Sequence, residues 1–300
     1  MENNFYEAWH SQVLSAVSNK ILSLLEQQRT ADVDNLLHAM IYSCDGSGKC
    51  IRPLLVHAAG VISNACPKTL CYLGAALEII HSFSLVHDDL PCMDNDDYRR
   101  GKLSNHKVFG ADIALLAGDA LLVYAFELLS SNSFFKELSA EVMLKIIHLV
   151  TKAIGVHGMV GGQALDMMYT NQKVTYEQLK NMHILKTGML ISCACLVGYI
   201  VGTEYQQEKY DKLVTISDDI GLLFQIVDDI LDVTSSSKVL GKTANKDTEN
   251  NKATFVTILG LDQAQQHANN LFDKLQLELH DFPNSGYLKY LVNVIHKRSK

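Results

Sequence analysis

Two groups of acidic residues, each adjoining an apolar segment, are the part of this sequence best suited to chemistry. The first lies between His87 and Gly101, where five aspartates and two arginines fall within fifteen residues. The second begins at Asp228, 140 residues after Asp88, inside another apolar stretch. Carboxylates among apolar side chains are costly to bury unless a positive charge neutralises them. The two groups therefore predict divalent metal ions that a polyanionic ligand bridges.

The second acidic group has the spacing of one helix face. Asp228 and Asp232 are four residues apart, and Asp229 lies at the edge of the same face. Mg²⁺ prefers oxygen ligands and often joins protein carboxylates to substrate phosphates. The alternative is a solvent-exposed acidic face, but Ile226 and Val227 leave little room for one.

The first acidic group is more loosely spaced. Asp88, Asp89 and Asp94 enclose the segment Leu-Pro-Cys-Met, and taken alone they could form an acidic loop that caps a helix. An EF-hand is excluded, because the loop lacks the glycine and the glutamate that this motif requires. Together with the second group, these aspartates predict a metal site.

Several polar side chains elsewhere could bind phosphate. Lys49 and Arg52 lie in or beside a glycine-containing loop that is not a P-loop, because Cys50 replaces the required serine or threonine. A plain surface turn is the alternative. Lys186 and Thr187 precede an apolar helix, where a lysine reaching to the surface is equally compatible.

Two further positions lie close to apolar helix faces. Gln163 and Asp166 share a face after two glycines, which in isolation favour helix packing. His81 lies seven residues before Asp88, hence near the same face, and a core histidine is the alternative there.

The elements that must position these residues are helices. Helical periodicity recurs along the chain and strand-like alternation is scarce, so we predict a single all-α domain over residues 1–300. Thr175 and Gln178 form a plausible capping box at the start of one helix. The predicted helices span residues 5–24, 32–41, a segment from 53, and 68–89, 111–130, 135–154, 158–168, 176–201, 210–234, 263–279 and 285–296.

The composition limits the possible partners and compartments. A net charge of −7 argues against a nucleic-acid binder, which would need a basic face. Seven cysteines without a CxxC pair favour free thiols in a reducing compartment, and the N-terminal segment does not have the pattern of a signal peptide. The longest uninterrupted apolar run, 189–201, is too short to cross a bilayer. We therefore expect a cytoplasmic protein with no integral membrane segment.

Taken together, these residues resemble the trans-polyprenyl (isoprenyl) diphosphate synthases over nearly the whole chain, and most of all the bacterial farnesyl diphosphate synthases. The motifs that carry the resemblance are Gly48-Lys49-x₂-Arg52-Pro53, Asp88-Asp89-x₄-Asp94 with Arg99-Arg100, Gly161-Gly162-Gln163-x₂-Asp166, Lys186-Thr187-Gly188 and Phe224-Gln225-x₂-Asp228-Asp229-x₂-Asp232. Two positions depart from the family pattern, since Cys50 replaces an arginine and Ser47 replaces a glycine.

The resemblance implies a helical bundle around a deep central cavity, a homodimer, and about three Mg²⁺ ions in each active site. It implies condensation of isopentenyl diphosphate with dimethylallyl or geranyl diphosphate to farnesyl diphosphate. The metal ligands would be Asp88, Asp89, Asp94, Asp228, Asp229 and Asp232. The allylic diphosphate would contact Arg99, Lys186, Thr187, Gln225, Lys242 and Lys252, and Gln163 is a further substrate-binding candidate. Isopentenyl diphosphate would bind Lys49, Arg52, His81 and Arg100.

Other functions remain open at this point. A terpene cyclase also ionises diphosphates with an aspartate-rich motif, but it normally carries an Asn/Ser/Glu motif in place of the second one. A non-catalytic partner subunit of a prenyl synthase typically loses aspartates, and both groups are intact here.

Product length depends on the helix that ends at Asp88. Ser84 lies one turn before Asp88, and Phe83 lies five residues before it, about 7.5 Å along the axis. In the family, an aromatic residue at this place accompanies C15 products, and a smaller one accompanies C20 products. We therefore expect Phe83 to form a floor for the growing chain and Ser84 not to, although Phe83 could be only a core residue. Geranylgeranyl diphosphate is the alternative product.

Overall fold

The computed structural model describes residues 2–46, 48–234, 253–280 and 282–298. Within these ranges the chain is almost entirely helical, as predicted. The helices are α1 (Glu2–Glu26), α2 (Asp34–Ser43), α3 (Ile51–Ile62), α4 (Pro67–Asp88), α5 (Asn105–Phe109), α6 (Ala111–Leu129), α7 (Ala140–Ile154), α8 (Met159–Tyr169), α9 (Tyr176–His183), α10 (Met189–Ile200), α11 (Gln207–Thr234), α12 (Phe255–Leu259), α13 (Leu261–His280) and α14 (Gly286–Lys297), with a short 3₁₀ turn at Ala31–Val33.

The centre of the molecule is formed by the most apolar helices. Helix α10 packs closely on α3, and α4 packs on α6. Every residue of α10 from Leu190 to Ile200 is buried, so the longest apolar run of the sequence is a core helix. Helices α3 and α4 are nearly as buried, and their ends carry the polar residues that the sequence singled out.

The predicted helix over 176–201 is interrupted. The regular helix α9 ends at His183, a π-helical turn spans Ile184–Gly188, and α10 follows. The apolar residues on each side of a single π turn keep their helical spacing. The sequence pattern alone therefore predicts one continuous helix. The capping box of Thr175 and Gln178 at the start of α9 is confirmed.

The structure also differs from the sequence analysis in one helix boundary and in a hairpin that was not predicted. The helix predicted over 135–154 begins only at Ala140, because the Ser139 side chain accepts a hydrogen bond from the Val142 backbone and caps it there. A hairpin of β1 (Tyr98–Arg99) and β2 (Lys102–Leu103) was not predicted, since strands of two residues have no detectable period.

By length and composition, three helical stretches of the described chain could cross a membrane. They are Pro67–Asp88, Ala140–Tyr169 and Tyr176–Ile200, and 78%, 39% and 72% of their most apolar windows are buried in the molecule. The first and third belong to the core, because most of their apolar surface already packs on other helices. The expectation of no membrane segment was based on the longest apolar run alone and did not consider longer helices that contain a few polar residues. It remains a prediction.

Candidate active site

The predicted site residues surround one large cavity of about 1110 Å³. Its polar wall contains Lys49, Arg52, His81, Asp88, Asp94, Arg99, Arg100, Gln163, Lys186, Thr187, Gln225, Asp228 and Asp229. The carboxylates of Asp89 and Asp232 are buried beside this wall and do not line the cavity. Lys242 and Lys252 lie outside the described residues. The structure therefore brings together residues that are up to 180 positions apart, from Lys49 to Asp229.

The first acidic group forms at the C-terminal end of α4. The helix ends at Asp88, and the following turn folds back so that the Asp94 N–H donates to the Asp88 carbonyl at 2.9 Å. This turn places two carboxylates of the motif in the cavity wall. Asp89 faces away from the cavity and accepts hydrogen bonds from Arg99 Nε at 3.0 and 3.1 Å.

Arg99 and Arg100 follow this group in the β1–β2 hairpin. Arg100 and Gly101 form its two-residue loop, and their φ angles of +53° and +79° are those that such a tight loop requires. Arg99 ends the first strand and contacts Asp89 and Asp96, whereas Arg100 lies in the loop with a left-handed backbone and its side chain reaches Glu78. The hairpin thus directs two adjacent arginines to two parts of the cavity.

Arg99 is held by carboxylates on several sides. Burial by itself would lower the pKa of its guanidinium, but the hydrogen bond with Asp89 and the charges of Asp88 and Asp94 raise it. Arg99 therefore remains a fixed cation at the first acidic group.

The three aspartates of the second acidic group have different surroundings. Asp229 accepts hydrogen bonds from Gln225 Nε2 and from the Phe255 N–H, both at 2.7 Å, so it links α11 to α12. Asp228 faces the cavity, where Arg298 donates to its Oδ1 at 2.6 Å and Lys49 Nζ lies 4.0 Å away. Asp232 is 2% exposed and lies outside the cavity wall.

The π turn presents Lys186 and Thr187 to the cavity. Lys186 Nζ donates to Asp166 Oδ2 at 2.6 Å, which joins the π turn to α8. The two elements approach closely because Gly162 has no side chain, and a Cβ there would lie 2.1 Å from the Lys186 backbone nitrogen. The glycine pair is therefore used for packing, while Gln163 and Asp166 line the cavity.

A second set of cations lies near the start of α3. Arg52 is 7% exposed, and its Nε has no hydrogen-bond partner in the described part of the chain. Burial, followed by the charges of Arg52, Arg100 and Arg99, lowers the pKa of His81 well below its usual value. His81 is therefore a neutral imidazole that can donate or accept a hydrogen bond beside fixed positive charges.

The remainder of the cavity wall is apolar. Phe83 and Ser84 of α4 both line it, together with Leu115 of α6. The Phe83 ring contacts the His87 ring edge-on at 5.0 Å between centroids, and His87 Nε2 lies 3.0 Å from the Leu115 carbonyl oxygen. Phe83 thus contacts a side chain that is itself fixed to α6 and also lines the cavity.

The carboxylates suit Mg²⁺ chemically, but they do not form a complete site alone. Within the described ranges, no three acidic, histidine or cysteine side chains converge closely enough to hold a metal ion. Asp88, Asp94 and Asp228 nevertheless face one cavity with basic groups around them. This arrangement fits a cation that takes a few protein oxygens and completes its shell with water and phosphate oxygens.

Four residues with a place in the site were not selected from the sequence. Glu78 is the one acid within the apolar part of α4, and that isolation was a usable signal. Asp96 is buried against Arg99, and His183 stacks on Phe255 with its pKa lowered to about 3 by burial. Arg298 reaches Asp228 from the end of α14, a contact between residues 70 positions apart that no local pattern predicts.

Comparison with known proteins identifies the family. The family model for polyprenyl synthetase matches residues 33–295. The chain is 42% identical to a farnesyl diphosphate synthase of Micrococcus luteus, over 93% of this chain and 94% of that protein. It is 43% identical to geranylgeranyl pyrophosphate synthase 7 of Arabidopsis thaliana, over 87% of this chain and 75% of that protein.

A solved structure of the same fold also matches. It is a Helicobacter pylori geranyltransferase complexed with magnesium and isoprenyl diphosphate, with a TM-score of 0.85 and 30% identity over 97% of both chains. The chain therefore belongs to the polyprenyl synthetase family.

Proposed function

We propose that this protein condenses isopentenyl diphosphate with dimethylallyl and geranyl diphosphates to give farnesyl diphosphate. The observation that carries the proposal is the cavity itself, in which two acidic groups, two separate sets of cations and an apolar wall meet. Two sets of cations suit two diphosphate substrates, and the apolar wall suits a hydrocarbon chain. We further infer that residues 1–300 act as one polyprenyl synthetase domain.

Each set of residues has a distinct task in this reaction. Arg99, Lys186, Thr187 and Gln225 bind the allylic diphosphate and stabilise the charge that develops as it leaves the allylic carbon. Lys49, Arg52, His81 and Arg100 bind isopentenyl diphosphate, whose double bond attacks the allylic cation. The apolar wall excludes water that would otherwise quench this cation. No dedicated protein base is assigned, because the released diphosphate can accept the proton that is lost.

Mg²⁺ belongs to the proposal as the ion that the carboxylates hold together with the allylic diphosphate. Asp88, Asp94 and Asp228, which line the cavity, are the proposed direct ligands, and Asp89, held by Arg99, supports them together with Asp229 and Asp232. Bound Mg²⁺ would offset negative charge on the leaving diphosphate. About three ions in each site is our expectation, and Mn²⁺ could substitute.

Farnesyl diphosphate is the proposed product because Phe83 stands in the cavity wall five residues before Asp88. Its buried ring, 7% exposed and in edge-on contact with His87, suits a floor that stops a chain after C15. Geranylgeranyl diphosphate is the second candidate, and the 43% identity to a plant geranylgeranyl pyrophosphate synthase favours it.

A homodimer is the proposed assembly, and exposed apolar residues on α6, α7, α8 and the turn between α7 and α8 support it. Large exposed apolar patches commonly mark protein contacts. The exposed residues include Leu115, Leu116, Val123, Leu144, Val156, Val160, Met167 and Met168. Leu115, Val160 and Met167 also line the cavity, so a partner that contacts these residues would cover one side of the active site. We place the assembly in the cytoplasm, without nucleic acid or an integral membrane segment.

Product analysis tests the function and separates the alternatives. The protein is mixed with Mg²⁺, isopentenyl diphosphate and dimethylallyl diphosphate, and the products are identified by mass. We expect mainly the C15 diphosphate. A C20 main product would select the second candidate. If no elongation occurs, a parallel incubation with farnesyl diphosphate separates the other two, because a terpene cyclase would convert it to a cyclic hydrocarbon and a non-catalytic subunit would leave it unchanged.

A further inference from the structure

Glu78 is a buried acid that the proposed reaction does not use. It lies in the middle of α4, three residues before His81, and is 3% exposed. A buried carboxylate in an apolar helix is costly unless it is paired with a positive charge. The charged groups around Glu78 therefore indicate its role.

One arginine of the second cation set, Arg100, contacts this carboxylate, and another, Arg52, lies close enough for its pKa to be raised by the Glu78 charge. Arg100 Nη2 lies 3.4 Å from Glu78 Oε1, and both side chains are largely buried, with 15% and 5% exposure. Burial lowers the pKa of Arg52 to about 10, and the Glu78 charge is the main influence that opposes this shift. The Arg100 guanidinium also packs on Gly48, where a Cβ would lie 2.5 Å from its Cζ. Glu78 thus lies between the hairpin and the start of α3.

The charges of this group do not balance. One carboxylate faces two guanidinium groups, and the neutral His81 beside them adds no charge. The group itself therefore carries one excess buried positive charge. The Asp228 charge also acts on Arg52, but Asp228 already accepts a hydrogen bond from Arg298 and lies 4.0 Å from Lys49 Nζ. A buried excess of positive charge favours an anion, and Arg52 Nε, without a partner in the described chain, is available as a donor.

We propose that Glu78 is a positioning residue, which holds Arg100 in place beside the start of α3 so that Arg100 and Arg52 can both contact the diphosphate of isopentenyl diphosphate. This inference rests on the proposed function and deepens it by assigning the element that organises one of its two substrate sites. Without the carboxylate, two buried like charges repel each other and separate. Glu78 therefore improves diphosphate binding although it is itself negatively charged.

The direction in which diphosphate affinity changes distinguishes a positioning role for Glu78 from a purely electrostatic one. Glu78→Gln removes a negative charge near an anion site, so electrostatics alone would tighten diphosphate binding. Positioning predicts the reverse, because Arg100 is no longer held in place beside Arg52. We expect KM for isopentenyl diphosphate to rise about tenfold or more, and KM for geranyl diphosphate to change less than threefold. Glu78→Asp keeps the charge, and we expect it to recover part of the loss.

The matched control is Leu73→Ala in the same helix. Leu73 is fully buried and does not line the cavity, so its truncation destabilises the fold without touching either substrate site. We expect a lower Tm for this variant with both KM values unchanged. Kinetics at temperatures well below each Tm then separate loss of stability from loss of positioning.

Calorimetry provides a readout that needs no turnover. Isopentenyl diphosphate is titrated into each variant in EDTA, where metal-dependent binding at the acidic groups is removed. We expect Glu78→Gln to bind about tenfold more weakly than the wild type. Unchanged or tighter binding, with an active wild type, would overturn the positioning role alone. A wild type that neither binds isopentenyl diphosphate nor forms product would overturn the proposed function as well.

Discussion

Adding one methyl group at Gly162 tests whether the close packing of α8 on the π turn is required for activity. In Gly162→Ala the new Cβ would lie 2.1 Å from the Lys186 nitrogen and 2.5 Å from its Cα. Ordinary contact begins at 3.4 Å, so the backbone of the π turn must retreat by about 3.4 − 2.1 = 1.3 Å. Both clashing atoms are backbone, so no side-chain rotation can relieve them.

The retreat should move Lys186 and Thr187 away from the cavity and strain the 2.6 Å contact between Lys186 and Asp166. Misplacing a catalytic group by 1 Å can cost about 10²-fold in rate, which corresponds to about 2.7 kcal/mol of transition-state stabilisation. Overpacking itself costs about 1–3 kcal/mol of folding stability. We therefore expect kcat to fall about 100-fold together with a lower Tm.

Steady-state kinetics with both substrates saturating would measure this loss. The matched control is Gly60→Ala, whose Cβ would lie 2.4 Å from Leu70 Cδ2, far from the cavity lining. We expect this control to lower the Tm and to keep kcat within threefold of the wild type. If Gly162→Ala also kept kcat within threefold, the close packing of α8 on the π turn would not be what positions Lys186.

Three further predictions follow from the proposed roles. Chelation by EDTA should abolish product formation and added Mg²⁺ should restore it, and Asp88→Ala should lower kcat at least about 10²-fold; full turnover in chelator would contradict the metal assignment. Arg52→Ala should raise KM for isopentenyl diphosphate more than KM for the allylic substrate in kinetics with each substrate varied, and equal changes would argue against two separate sites. Phe83→Ala should shift products towards C20 or longer by mass analysis, while a folded, active variant that still stops at C15 would place the floor elsewhere.

The fold was largely predictable because its helices are long and apolar on the inner side. The segment that became α4 was predicted to within one residue at each end, since its many apolar residues continue up to the aspartates and are followed by Pro91. The interruption after His183 was not predictable, because its π turn changes the hydrogen bonding without changing the apolar pattern. The hairpin at Arg100 was missed because two-residue strands carry no periodic signal.

Residues of the candidate site were predictable where a charged side chain has apolar neighbours in the sequence, because burying such a charge costs free energy. Asp88 and Asp228 stood out as acids beside apolar residues, and the structure places both in one cavity wall. Their surroundings were not predictable, because the partners come from distant segments. The contact of Asp228 with Arg298 and the buried hydrogen bond from the Phe255 N–H to Asp229 depend on how α12 and α14 pack, which no local spacing encodes.

The β1–β2 hairpin makes the two proposed substrate sites thermodynamically linked. Arg99 and Arg100 are adjacent, and the left-handed backbone of Arg100 in a two-residue loop leaves them little freedom to move independently. A diphosphate that displaces Arg99 from Asp89 should therefore also shift Arg100. If one substrate changes the affinity for the other by some factor, equilibrium linkage requires the second to change the affinity for the first by the same factor. We thus expect each substrate to change the affinity for the other by the same factor, whichever binds first, with the coupling carried by a turn of only two residues.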